Sequence, residues 1–208
     1  QTAAERERPA DQREIHAEGG PVILRTYQEA GVTAMRQAFG SGARAVCYVA
    51  PTGSGKTVVF VHIARGAIAK GNRVWITVHR QELLYQTSRA LEALDVPHGI
   101  IAPGHSLSHE PVQVASIQTL ARRLGRGRLP PSPQLVIVDE CHHVVSASWQ
   151  RVIAALPKAR VLGVTATPLR LDGRGLRPPF DTLVRGPATA ELIADEWLAR
   201  PTVYAPPM

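Results

Sequence analysis

The chain has 208 residues, 44% hydrophobic and 20% charged, enough apolar mass for one well-cored domain and too little length for two of ordinary size. That balance excludes a disordered chain, and no apolar run approaches the roughly 18 to 20 residues that a membrane-crossing helix needs. Lysine and arginine number 24 against 17 acidic residues, a formal charge of +7, which suits a polyanionic partner through long-range attraction and counterion release.

The basic charge is nearly all arginine, since the lysines are Lys56, Lys70 and Lys158 alone; with so much Ala and Pro, a genomic base bias explains it equally well. Cys47 and Cys141 are too few for a disulfide framework and lack paired metal-ligand spacing, as expected of free thiols in a reducing, cytoplasmic setting.

Residues 1–20 are polar, carry no secretion-type apolar stretch and read as a loose tail. From Tyr27 to Phe39, Tyr27, Ala30, Gly31, Ala34, Met35 and Ala38 recur at helical spacing, and Gly40 and Gly42 end the segment. Four continuous apolar runs follow, at 45–50, 73–78, 135–139 and 161–165, with the β-branched character of strands covered on both faces. Weaker runs at 99–102 and 112–116 are further strand candidates. Helix-like segments at 56–70, 80–94, 117–124 and 147–155 separate them, and this alternation predicts an α/β fold with a doubly wound, mainly parallel sheet. The stretch 122–133, RRLGRGRLPPSP, reads as a basic surface loop, and no repeat of roughly 20 to 50 residues is present. Past Arg185, a short helix around 189–195 leads to PTVYAPPM, an ending typical of an interdomain linker.

The strongest chemical signal is Ala50-Pro-Thr-Gly-Ser-Gly-Lys-Thr57, between an apolar strand and a helix. In Pro51, Thr52, Gly53, Ser54 and Gly55 the glycines let the backbone wrap with its N–H groups inward, and the helix that follows adds its positive end. Lys56 reaches the β- and γ-phosphates of a nucleotide, and the Thr57 hydroxyl suits Mg²⁺. The second signal is Leu135-Val-Ile-Val-Asp-Glu-Cys-His-His143, a strand delivering two acids at its C-terminal end, where open parallel sheets bind ligands. Asp139 is expected to hold Mg²⁺ and Glu140 to orient or deprotonate the attacking water. Without the phosphate loop, adjacent acids there could equally be solvated turn residues. The Cys141, His142 and His143 cluster, and His105 with His109, invite a metal reading that their surroundings disfavour.

Taken together, these residues resemble motifs I and II of the DEAD/DEAH-box superfamily 2 helicases, in a DECH variant. Leu24-Arg-Thr-Tyr-Gln28 is similar to the Q motif, 78–83 to motif Ia, 115–120 to Ib, and Gly163-Val-Thr-Ala-Thr-Pro168 to III, so that the likeness spans residues 24–170. The resemblance implies a RecA-like P-loop domain over 21–200 that uses ATP and Mg²⁺, with Gln28 on the adenine edge and Arg25 supporting that pocket. It implies that Thr165 and Thr167 bond toward His142, coupling hydrolysis to nucleic acid, and that Arg80, Ser116, Gln118 and Arg170 face the strand. Blander roles compete: Gln28 capping or solvating its helix, Arg80 as a surface arginine, Ser116 and Gln118 as turn and N-cap residues. The DECHH and TAT wording resembles branches that mostly act on DNA. Nothing after Pro168 matches motifs IV to VI, so 201–208 is expected to begin a linker, with the second RecA-like domain and its arginine finger, worth roughly 10³ to 10⁵ in rate, outside these residues.

The expected function is an ATP-binding domain coupling Mg-ATP hydrolysis to movement on, or remodelling of, DNA or RNA. The alternative is a nucleotide-gated module or translocating subunit of a restriction-type complex that separates no strands. A small-molecule kinase is disfavoured, because the DECHH and TATP elements have no role there.

Overall fold

The structure is a computed structural model that describes residues 23–143, 146–167, 175–176 and 179–201. The elements follow in order as α1 (Thr26–Gly40), β1 (Ala45–Val49), α2 (Lys56–Ile68), β2 (Val74–Val78), α3 (Gln81–Glu92), β3 (His98–Ile101), β4 (Val112–Ser116) and α4 (Ile117–Leu124). Then come β5 (Leu135–Asp139), a 3₁₀ turn (Cys141–His143), α5 (Ala147–Ala154), β6 (Arg160–Thr165), β7 (Thr182–Arg185) and α6 (Thr189–Ala194). The seven strands form one sheet in the order β3-β4-β2-β5-β6-β1-β7. Every pairing is parallel.

Alternation along each strand explains why the runs are apolar throughout. Val46, Tyr48, Ile76, Ile137 and Leu162 join one buried cluster, with Val32 and Met35 of α1, Phe60 of α2 and Leu84 of α3. The residues between them, Cys47, Trp75, Val136, Val138 and Val161, join a second cluster with Leu120 of α4 and Trp149 and Val152 of α5. The central strands β1, β2, β5 and β6 thus bury both their faces, which a helix-covered parallel sheet requires.

The doubly wound α/β expectation holds, and the two weak runs at 99–102 and 112–116 are strands of the same sheet. Two features differ from expectation. Arg122, Arg123 and Leu124 belong to the last turn of α4 and not to a loop; Arg123 Nη2 donates to the carbonyls of Ala102 and His105, which ties that turn to the segment after β3. The edge strand β7 was not anticipated, because four residues, TLVR, with Val184 alone buried, carry little apolar signal of their own; its register comes from β1, Cys47 opposite Leu183. The N-terminal tail, Arg170 and the segment from 202 onward lie outside the described residues.

Gly163, in the middle of β6, is where the sheet can least accept a side chain. A Cβ there would lie 2.7 Å from Cys141 Sγ and would also run into the Phe180 ring. Its absence lets the Cys47 and Cys141 sulfurs, both buried, meet at 3.4 Å. Gly163→Ala is therefore expected to lower stability by about 2 kcal/mol, the usual range for overpacking a tight core, read as a drop in thermal midpoint; an unchanged midpoint would contradict this packing.

Candidate nucleotide site and nucleic-acid face

All strands run the same way, so their C-terminal ends share one rim, and the predicted chemistry gathers there. The phosphate-loop sequence leaves β1 and enters α2 with Gly53 (φ +81°) and Gly55 (φ +73°) in the left-handed region, where other residues pay roughly 1–2 kcal/mol. Space is tight as well: a Cβ on Gly55 would lie 2.5 Å from Gln28 Nε2 and one on Gly53 2.8 Å from Leu198 Cδ2, so those side-chain ends would have to move. Lys56 opens α2 and its Nζ donates to the carbonyls of Ala50 and Pro51, at 3.2 and 3.1 Å. The Ser54 hydroxyl is buried with no hydrogen-bond partner among the described residues, an orphaned donor inside a ring of backbone suited to an anion.

β6 lies between β1 and β5, and Thr165 at its end joins the loop to the acids. Its carbonyl accepts from Ala50 N (3.0 Å). Its hydroxyl contacts Glu140 Oε2 (3.3 Å) and His142 Nδ1 (3.0 Å), and it accepts from Thr167 N (3.1 Å). His142 Nδ1 also sits 3.2 Å from Glu140 Oε2. An ionised carboxylate only accepts, so this short approach suits a proton on Nδ1, and the one hydroxyl hydrogen of Thr165 has Glu140 Oε2 and the Thr167 carbonyl, each at 3.3 Å, as acceptors. Thr167 enters through its main chain, and among the described residues the bond to His142 comes from Thr165.

Glu140 is held at φ +49°, a conformation that costs a non-glycine residue about 1 kcal/mol or more and persists only when neighbours enforce it. Asp139 is largely buried beside it and accepts from Glu140 N (3.0 Å). Burial first, and the Glu140 charge second, push the Asp139 carboxyl up from its ordinary 3.8 to about 6, while the Glu140 N–H bond and the nearby Lys56 ammonium pull the other way. A desolvated acid pair of this kind fits a divalent cation, which relieves the repulsion.

The side of the loop that faces α1 was only partly foreseen. Gln28 is 3% exposed: its Oε1 accepts from Arg25 N (3.0 Å), and its Nε2 donates to the Ser54 carbonyl (3.1 Å). It thus closes the first turn of α1 and reaches the phosphate loop at once, and the solvated alternative falls. Tyr27 Oη donates to the same carbonyl (3.1 Å). Arg25 lies over the Trp197 ring at 4.3 Å, and Tyr27 meets that ring edge-on at 6.2 Å. Trp197 and Leu198 were not singled out in the sequence; nothing local marks them, and they arrive by folding back from α6.

On the same rim, Ser116 precedes α4 without capping it. Its hydroxyl donates to Gln118 Oε1 (2.9 Å), and Gln118 Nε2 donates to the His79 carbonyl (3.2 Å). Exposed Arg80 stands next to His79 in that line. The His79 ring packs on His143 at 4.5 Å and His143 on His142 at 4.0 Å, a histidine stack linking this polar line to the acids. Burial, then the Arg80 charge, lowers the His79 pKa; burial, then His142 and His79, lowers that of His143.

Such a loop and acid pair on a doubly wound parallel sheet define a nucleotide-binding motor domain of the RecA-like type. The chain belongs to the family described as the res subunit of type III restriction enzymes, whose model matches residues 21–170. It is 33% identical over 192 residues to the Schizosaccharomyces pombe protein named as a mitochondrial ATP-dependent helicase, irc3, covering 86% of this chain and 32% of the relative. The Saccharomyces cerevisiae XPB/SSL2 helicase/translocase subunit of general transcription and DNA repair factor IIH is 28% identical over 176 residues, covering 73% of this chain and 19% of that protein. The Pyrococcus furiosus Hef helicase domain superposes with a TM-score of 0.64 at 21% identity, over 78% of this chain and 37% of its own. The chain spans about a third of the length of the first of these. It is a helicase-family ATPase domain that uses a nucleotide.

Because the folded-state pKa of Asp139 is raised, its contribution to stability is full below pH 3.8 and is lost as pH rises through about 6. Asp139→Asn, which keeps the acceptor for Glu140 N, is expected to raise the thermal midpoint at pH 7.5 by on the order of 1–3 kcal/mol in stability and to leave it unchanged near pH 4. A gain independent of pH would contradict the burial argument.

Proposed function

We propose that this domain binds Mg-ATP between the 50–57 loop and the acids Asp139 and Glu140, and that hydrolysis there drives movement along, or remodelling of, DNA. The observation that carries the reading is the Thr165 bridge, bonded on one side to the start of the loop and on the other to Glu140. In this scheme Lys56 leaves the Ala50 and Pro51 carbonyls for the β- and γ-phosphates, and the loop N–H groups, with the Ser54 hydroxyl, take the remaining oxygens. Thr57 and Asp139 would hold a magnesium ion, whose charge would offset that of the phosphates. Glu140, aimed by Thr165 and His142, accepts the proton of the attacking water. The adenine lies against Trp197, with Gln28 offering its second amide N–H to the base edge and Arg25 fixing the indole.

Arg80, Ser116 and Gln118 face the nucleic-acid backbone, and Arg170, outside the described residues, is proposed for the same face. The route from hydrolysis to that strand runs Glu140, His142, His143, His79 and then the Gln118 bond to the His79 carbonyl. A second RecA-like domain of the same protein completes the catalytic site and supplies an arginine finger. DNA is favoured over RNA by the family's description and by the DNA repair factor among the relatives. The same description supports a second reading, a translocating subunit of a restriction-type complex that moves on DNA without separating strands. Strand displacement of a labelled fork by the full-length protein separates the two.

Lys56→Ala in the full-length protein is expected to abolish measurable ATP binding. Glu140→Gln is expected to keep ATP affinity and lower DNA-stimulated turnover by roughly 10² or more; turnover equal to wild type would remove Glu140 from this role. Trp197→Ala is expected to weaken ATP about tenfold, the low end of base stacking, while leaving tripolyphosphate affinity unchanged. Equal loss for both ligands would place Trp197 in loop support and not against the base.

A further inference from the structure

The opposite rim, where the strands begin, carries a second concentration of charge that the nucleotide site does not use. A groove of about 340 Å³ there is lined by Arg36, Lys70, Lys158 and Arg160, with the amides of Asn72 and Gln134, and among the described residues no carboxylate lines it. Two of the chain's three lysines are in it. All four cations are exposed, and they come from separate places: the last turns of α1, the turn after α2, the turn before β6 and its first residue. The arginine heads are positioned by packing. Arg160 lies over the Phe39 ring at 5.6 Å, and Arg36 lies across Gly66, where a Cβ would stand 3.7 Å from its Nη2. Gln134 is held by its main chain and by its Oε1, which accepts from Arg73 N at 2.6 Å.

The ends of α1 and α2 also point their carbonyls toward this rim, worth about half a negative charge each. Four full positive charges outweigh them, so the groove remains attractive to an anion. Planar arginine heads with lysines and amide donors suit phosphate oxygens. Strands of five residues span about 16 Å, so one phosphate cannot reach both this groove and the face bearing Arg80 and Gln118. We propose that the groove is a second nucleic-acid contact, taking backbone phosphates of a duplex arm distinct from the strand on the Arg80 face. This rests on the nucleic-acid reading above.

The test uses the full-length protein and K70E/K158E, whose exposed positions leave the core untouched, with K70R/K158R as the conservative control. Affinity is measured between 50 and 200 mM salt for a short single strand of about 8 nucleotides and for a fork with a duplex arm of about 30 base pairs. The expected result for K70E/K158E is unchanged affinity for the short strand, about tenfold weaker fork binding, and a fork salt slope shallower by about 1 to 2, with wild-type behaviour in K70R/K158R and equal melting temperatures throughout. An unchanged fork slope, or equal loss on both probes, would overturn the proposal. Saturable binding of inorganic pyrophosphate that the K70E/K158E variant loses, with no change on the fork, would assign the groove to a small anion and overturn it too. Failure of the wild-type protein to bind either nucleic acid would count against the broader reading, so the two failures are distinguishable.

Discussion

The structure depends on where β6 is inserted. Because it pairs with β1 on one side and β5 on the other, Thr165 at its end stands between the phosphate loop and the acid pair and hydrogen-bonds to both. Were β1 and β5 adjacent, the acids would abut the loop directly, with no residue between them to orient Glu140. With β6 between them, the Thr165 hydroxyl and the His142 ring it touches hold the Glu140 carboxylate from one side. Gly163 serves the same arrangement two residues earlier, since a side chain there would push Cys141, and with it the turn after Glu140, away from the sheet.

This rim is built against local preference. Glu140 has a positive φ, Asp139 is ionised in partial burial, and Ser54 buries an unpartnered hydroxyl. Each lowers the stability of the free protein, and each fits charge placed there by a magnesium nucleotide. Strain of this kind is sustained by the two apolar clusters on the faces of the sheet, which involve none of these groups.

The fold was legible because its strands are covered on both sides and so read as unbroken apolar runs; the phosphate loop was legible because left-handed turns demand glycine at fixed positions. Gln28 could be named from its motif, and its double bond to Arg25 and Ser54 shows how one amide serves both a helix start and the loop. What escaped the sequence was set by tertiary approach. The edge strand β7 has no pattern of its own and takes its register from β1. Trp197 and Leu198 reach the loop by folding back from α6, and the stacking of His79 on His143 joins the residue after β2 to the turn after β5. The net positive charge was visible at once, yet its concentration on the rim where the strands begin depended on how α1, α2 and β6 converge.

A crystal structure with magnesium and a non-hydrolysable ATP analogue tests the central claim most directly. The triphosphate is expected inside the 50–57 loop, with Lys56 turned onto it, Thr57 and Asp139 on the side that would hold the metal, and Glu140 within one water of the terminal phosphate. A nucleotide bound elsewhere, or one whose terminal phosphate lies away from both Lys56 and Glu140, would contradict it.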